Sequence, residues 1–345
     1  MMSSYAKQHY LLSAKARSFS IMEIARLSDE QAFDMFKEAR WPEGVKCPKC
    51  DGSSHYWPET RKQWRCKCCK CCTHTFSVTS GSIFSNHKLP LNTYLMAIAL
   101  YSNCAKGKSA LQLSRDLNVQ YKTAFVLSHK LRESLMDDQP AILDDEVKID
   151  AAYVNGHVRP KNRIENRVDR RKKENQDPMK RAILVLRERH EVEGMGGFKT
   201  VTAVAKSESE ESVQAFVARH VEVGTVISTD ESNAYNALHA NFKMERVNHS
   251  IEYMGEYMGK NGENTNQAES FFSRFRRMQV GQTHNFGNLY LNRYANEAAY
   301  REDTRRKSND AIFSDVMSRC ATSHVSRDFW GYCQGNKKQG ETLVG

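Results

Sequence analysis

Apolar residues recur along this chain with two different periods, and the change from one to the other divides it. In the run from 20 to 41, SIMEIARLSDEQAFDMFKEARW, Phe33, Phe36 and Ala39 fall at helical spacing behind a Ser28-Asp29 start signal, and Trp41-Pro42 ends it. Residues 88–136 read as helices throughout, with Leu91, Leu95 and Ile98 on one face and Leu127, Leu131 and Leu135 on another. From Glu146 the period shortens. Short β-rich runs (VKIDAAYV, RAILVLRER, FKTVTAVA, GTVISTD, KMERVNH) alternate with helical patterns near 208–221, 231–240 and 265–279, which reads as an α/β domain. Beyond about residue 303 the chain turns polar, and its Gly, Lys and Gln-rich end is expected to be mobile.

Within residues 107–135 the helical pattern suits a helix-turn-helix. Ala110, Leu111 and Ser114 lie on the first helix and Leu117-Asn118-Val119 form the turn, where Asn tolerates a left-handed backbone. Gln120 opens the second helix, whose Gln120, Tyr121, Lys122 and Thr123 would reach major-groove base edges. A plain helical hairpin would carry the same pattern.

Seven of the ten cysteines fall between Cys47 and Cys72. Such clustering points to metal in a reducing compartment rather than to a disulfide scaffold. Cys47-Pro48-Lys49-Cys50 makes one knuckle and RCKCCKCC the other, at a spacing that suits a four-cysteine zinc ribbon. Cys66/Cys69, Cys68/Cys71 and Cys69/Cys72 all make C-x2-C pairs. Cys69 and Cys72 are favoured, because an aromatic, Phe76, follows closely enough to pack under the metal, and Cys66 is the first substitute. A closed site of this kind holds a small fold together and does not catalyse. Its basic neighbours Arg61, Lys62, Arg65, Lys67 and Lys70 suit contact with DNA.

A net charge of +10 and a pI near 9.0 favour a polyanionic partner. A membrane is not expected: the longest apolar run, Tyr94 to Tyr101, is far short of the ~20 residues of a span, and the first residues have no signal-peptide core. A cytoplasmic protein follows. Double-stranded DNA is the partner best suited to the charge, and the Arg- and Lys-rich run from Arg159 to Arg181, with Arg170, Arg171 and Lys172 at its centre, reads as a basic loop against it. Arg274, Arg276 and Arg277 read as backbone clamps. A solvated basic surface would look the same in both places.

Three acidic residues stand in distinct local settings. Asp150 interrupts an apolar strand, where a bare carboxylate is costly unless a cation or donor meets it. Asp230 ends another strand, at the edge where α/β folds gather ligands, and Glu269 shares a helix with Phe272 and Phe275 that can anchor in a core. Two strand-borne aspartates and a helix-borne glutamate can hold two divalent cations, Mg2+ or Mn2+, for phosphoryl transfer on nucleic acid. His249 and Asn266 are candidates to orient the phosphate or a ligand carboxylate, and equally a structural histidine and a helix cap.

The stretches FSVTSGSIFSNHKLPL, IDAAYVNGHVRP, NRVDRRKKENQ, STDESNAYNALH, RVNHSIEY, TNQAESFFSRFRR and YANEAAYRED, taken in order, resemble bacterial insertion-sequence transposases of the ISXO-like, zinc-ribbon DDE type. The resemblance runs from about residue 25 to 307. It implies an RNase H-like catalytic domain, a DDE triad at Asp150, Asp230 and Glu269, and an N-terminal ribbon and helices that bind terminal inverted repeats. Many members have an acidic residue directly after the first aspartate and a Gly-Gly pair soon after, whereas this chain has Ala151 and Asn155-Gly156. The domains expected are an N-terminal helical segment (1–42), a zinc ribbon (43–86), a helix-turn-helix-like region (87–140), an RNase H-like DDE domain (141–305) and a C-terminal tail (306–345). The function expected is two-metal cleavage and transfer of DNA strands by a homo-oligomer on paired ends. A catalytically silent DNA-binding regulator of transposase origin, or an RNase H-like nuclease acting on branched or RNA-containing substrates, would share most of these features.

Overall fold

The computed structural model describes residues 10–58, 61–68, 73–136, 142–169, 172–190, 197–246 and 266–345. The chain forms two compact units, one from residues 1–136 with 304–338 and the other from 137–303 with 339–345.

The first unit opens with α1 (Ile21–Ala25) and α2 (Asp29–Arg40). The Ser28 hydroxyl accepts from Gln31 N while the Gln31 side chain accepts from Ser28 N, and this capping box starts α2 at the residue the sequence indicates. Strands β1 (His55–Tyr56), β2 (Trp64–Cys66) and β3 (Thr75–Phe76) make a small antiparallel sheet. The Trp64 and Phe76 rings stack on one face of that sheet, with Trp41 edge-on to both. After α3 (Leu91–Asn103), α4 (Ala110–Asp116) and α5 (Tyr121–Ser134) are joined by a turn in which Asn118 takes the left-handed conformation, φ +50°.

The second unit is a five-stranded mixed sheet between helices: β4 (Val147–Val154), β5 (Arg181–Arg189), β6 (Gly197–Ala205), α6 (Glu210–His220), β7 (Val226–Thr229), β8 (Lys243–Arg246), α7 (Asn266–Met278) and α8 (Leu291–Asp303). The strand order is β6-β5-β4-β7-β8; β5 is antiparallel to both of its neighbours, β4 and β6, while β7 and β8 run parallel to β4. This is an RNase H-like sheet. The central strands are buried on both faces, which is why they read as continuous apolar runs. Val147, Ile149, Leu184 and Leu186 meet Val213, Phe216 and Val217 of α6. On the opposite face Ala152, Val154, Ile183 and Val185 meet Phe271, Phe272 and Phe275 of α7 and Ala295 and Ala299 of α8. The segment expected as a helix over 231–240 is a 3-10 helix, Asn233–Ala240, which buries Tyr235 and Leu238.

β4 ends in a turn at Asn155 (φ +57°) and Gly156 (φ +68°). A Cβ on Gly156 would lie 2.5 Å from Lys180 Cβ, so glycine is required there by both backbone and space. Past Asp303 the chain returns to the first unit as α9 (Asn309–Thr322), which packs with α2, α3 and α5. It then ends on the second unit. Val344 N donates to Val204 O of β6 at 2.8 Å, Leu343 and Val344 join the two apolar clusters, and Arg181 grips Glu341 through two contacts of 2.7 and 2.9 Å. The expectation of a tail from 306 with a mobile end is therefore corrected. The attachment rests on one backbone bond, an ion pair and two apolar residues, which hydropathy does not register.

Glu302 of α8 joins three elements: its carboxylate accepts from Arg187 of β5 at 3.1 Å and from Arg274 of α7. Arg187 and Glu302 are both buried. Removing one partner of such a pair strands a desolvated charge. Glu302→Ala is expected to destabilise the second unit by about 3–5 kcal/mol in denaturant unfolding.

Candidate active site

Alternation along β4 puts Asp150 on the face of Ala152 and Val154, which α7 and α8 cover, whereas Ile149 and Ala151 belong to the α6 face. Beside it, Val147 pairs with Ile227 and Lys148 with Ser228 of parallel β7. Two residues further along that same register stand Asp150 and Asp230. Asp230 lies one residue past the end of β7, and its Oδ1 accepts from Ser232 N at 3.0 Å. α7 packs on β4 through its Phe-rich face and brings Glu269, exposed in its first turn, to the same end.

The arrangement is electrostatically adverse for bare carboxylates. Burial first, then the charges of Asp230, Glu208 and Glu269, raise the Asp150 carboxyl from its ordinary 3.8 to about 7, against a bond of 2.7 Å from Ala151 N to its Oδ1. Glu208 was not anticipated. It lies between β6 and α6, half-buried, and its carboxyl is also raised, by burial and then by Asp230, while the Tyr235 and Ser232 hydroxyls hold it down. Tyr235 is fully buried and its phenol is raised by burial and by the charges of Glu208, Asp230 and Asp150. In the sequence Glu208 sits in KSESEES, where Ser and Glu are the ordinary residues of a helix start, so nothing local distinguished it.

In the first unit, Cys47, Cys50 and Cys66 bring their sulfurs within 4.8 Å of one another, with Cys50 Sγ and Cys66 Sγ 3.5 Å apart. Asp51 N donates to Cys47 O at 2.8 Å and Cys47 N to Gly52 O at 3.0 Å, folding the knuckle. The pairing of His55 with Cys66 then carries the end of β2 to it. The favoured pair, Cys69 and Cys72, lies outside the described residues, and Cys66, the substitute, is in the cluster. Phe76 does lie buried against this sheet, but it is placed by its pairing with Trp64, so its distance from the last cysteine does not indicate the register. Soft thiolates so gathered fit zinc.

Of the residues expected on DNA, Gln120 caps α5 and is exposed along with Tyr121 and Lys122, Thr123 is half-buried, and Lys122 Nζ stands 5.4 Å over the Tyr332 ring. Lys172 is exposed, in a loose 4.0 Å pair with Glu174. Arg276 and Arg277 are exposed on the helix of Glu269, while Arg274 is engaged by Glu302. Arg170, Arg171 and His249 lie outside the described residues, as does the Asn266 side chain. No helix among the described residues is long and apolar enough to cross a membrane.

Comparison with known proteins agrees with this geometry. Residues 142–303, the span of the mixed sheet and its flanking helices, match the ISXO2-like transposase domain, and residues 27–74 match the transposase zinc-ribbon domain. A transposase class is thereby defined, that of DNA-cleaving and joining enzymes with a zinc ribbon. Within it, the resemblance of this chain is to the ISXO2-like transposases. It is similar to an uncharacterized protein in transposable element ISH50 of Halobacterium salinarum, 27% identical over 258 residues, which cover 73% of this chain and 83% of that protein.

The Asp150 environment dictates a pH dependence. Without divalent cation, the folded state keeps a proton on Asp150 to about pH 7, while the unfolded chain releases it near the ordinary 3.8. Stability therefore falls as pH climbs between those values. Asp150→Asn removes that loss: in magnesium-free unfolding experiments it should match wild type near pH 4 and exceed it by a few kcal/mol at pH 8.

Proposed function

We propose that this chain is a DDE transposase of an insertion sequence, which binds the terminal inverted repeats of its element and cleaves and joins DNA strands with Asp150, Asp230 and Glu269. The observation behind it is the pairing of β4 with β7, which carries Asp150 and the end of β7 to one end of the sheet, where the charges of Asp230 and Glu269 act on Asp150. Three carboxylates are a hard-oxygen donor set that suits Mg2+ or Mn2+ and lacks the thiolates or imidazoles of softer metals. When bound, such ions would supply activation of the attacking water or 3′-hydroxyl and stabilisation of the leaving oxygen.

The chain's own residues do the positioning. Strand pairing fixes Asp150 and Asp230, and the Phe271, Phe272 and Phe275 face fixes α7 and with it Glu269. Arg276 and Arg277, exposed on that helix, bind DNA phosphates near the acids, and Arg170, Arg171 and Lys172 extend the basic surface. Arg274 contributes less, since Glu302 holds it. Gln120, Lys122 and Thr123 at the start of α5 read base edges in the repeats. Cys47, Cys50 and Cys66 hold structural zinc, and Cys69 completes the C-x2-C pair that begins at Cys66. The ribbon spans 43–86, the helix-turn-helix region 87–140 and the catalytic domain 141–305, and the enzyme works as an oligomer on paired double-stranded ends.

Cleavage of labelled repeat ends in Mg2+ is the test. Asp150→Asn should reduce strand cleavage to background while end binding in a mobility-shift assay is retained; cleavage by that variant would overturn the assignment. For the ribbon, Cys66→Ser and Cys69→Ser should lose stoichiometric zinc on purification while Cys72→Ser keeps it. The reverse outcome would restore the Cys69/Cys72 register.

A further inference from the structure

The chain that follows α9 lies against α5 in a definite direction. The Ser326 hydroxyl and Arg327 N both donate to the Glu133 carboxylate, at 2.6 and 2.8 Å. Buried Phe329 stacks on His129 with ring centroids 5.5 Å apart, Tyr332 meets Phe125 at 6.5 Å, and Lys122 Nζ stands 5.4 Å over the Tyr332 ring. Glu133, His129, Phe125 and Lys122 are spaced by four, four and three residues, which makes them one stripe of the helix. The segment therefore climbs α5 from its C-terminal end to its N-terminal end.

What it delivers to that end is a closed turn. Gly331 (φ +68°) and Gly335 (φ +100°) take the left-handed conformation on either side of the 3-10 helix Tyr332–Gln334, and Gln334 N and Asn336 N donate to the same Gly331 carbonyl at 2.8 and 3.2 Å. The side-chain amides of Gln334 and Asn336 gather over Gly331: a Cβ there would lie 3.2 Å from Gln334 Oε1 and 2.6 Å from Asn336 Nδ2. Gln334, Asn336 and Lys337 are exposed, as are Tyr121 and Lys122 of α5, and Trp330, just ahead of the turn, keeps 59% of its surface exposed. Over residues 324–338 the basic side chains Arg327, Lys337 and Lys338 outnumber the single acid, Asp328, which Lys338 engages at 3.5 Å. Amide and lysine donors around a glycine are groups that bind phosphodiester oxygens, and here they stand beside the end of α5 that carries Gln120 and Lys122.

We propose that the turn at residues 331–337 is a second DNA-contacting element, which takes a backbone phosphate of the repeat next to the groove read by α5 while Tyr332 orients Lys122. This rests on the reading of α5 as the helix that meets the repeats, and the experiment separates the two. Binding of the full-length, zinc-loaded protein to a fluorescent duplex of the terminal inverted repeat, and to a scrambled duplex, is followed by anisotropy over a range of salt concentrations without divalent cation. The proteins compared are wild type, Lys337→Ala, Lys337→Arg, Gln334→Ala, Lys122→Ala and the exposed, charge-matched control Lys307→Ala. Lys337→Ala is expected to weaken binding of both duplexes about tenfold at roughly 0.1 M salt and to lower the slope of log affinity against log salt by about 1, with Lys337→Arg restoring both. Gln334→Ala is expected to weaken both duplexes with the slope unchanged, and all variants should melt with wild type. The control should bind as wild type does. If Lys337→Ala and Gln334→Ala match wild type while Lys122→Ala loses the preference for the repeat, the turn is overturned and the reading of α5 stands. A loss in Lys307→Ala equal to that in Lys337→Ala would assign the effect to net charge and overturn the turn as well. If Lys122→Ala keeps both affinity and preference, the reading of α5 falls, and this inference with it.

Discussion

Repulsion among carboxylates in a half-buried place is the constraint around which the second unit is built. Asp150 alone is raised to about 7 by burial and by its acidic neighbours, so the site lowers the stability of the domain that contains it. Sites of this kind persist only where the surrounding frame is rigid enough to hold them. Here that frame is the pairing of β4 with β5 along its whole length, and of β5 with β6 beyond it. On the function proposed above, a cation would turn the same repulsion into affinity, with little rearrangement left to oppose binding.

Rigidity must also reach α7, which the sheet does not hold by backbone bonds. Two devices do this. Its Phe271, Phe272 and Phe275 face is sunk into the apolar layer over β4 and β5, and Arg274 is tied to Glu302, whose other oxygen meets Arg187 of β5. The turn at the end of β4 adds a third tie, because Asn155 Nδ2 donates to Phe286 O at 2.8 Å in the segment that follows α7. Glu269 can thus be solvent-exposed at its tip and still be fixed at its base.

Much of this was legible in the sequence, for identifiable reasons. VKIDAAYV and RAILVLRER coincide with β4 and β5 because strands covered on both faces need apolar residues at nearly every position. Asn118 marked its turn because few residues accept a positive φ. The acids Asp150, Asp230 and Glu269 stood out because each interrupts or ends an apolar pattern. Glu208 did not, since its neighbours explain it as part of a helix start and only the folded chain brings it beside Asp230. The second zinc knuckle was ambiguous for another reason: a doubled cysteine run offers several equivalent spacings, and what brings Cys66 to Cys47 and Cys50 is its pairing with His55, which no spacing encodes. Regulator and enzyme, likewise, differ in chemistry and not in pattern.

The last seven residues, 339–345, rest against β6, at the open margin of the sheet. An uncovered strand margin is a template on which another chain can add itself. Because the segment that shields this one is separated from it in sequence by all of α7, α8 and α9, the margin of β6 is closed by a contact of long sequence separation, which can form only after those helices have been made.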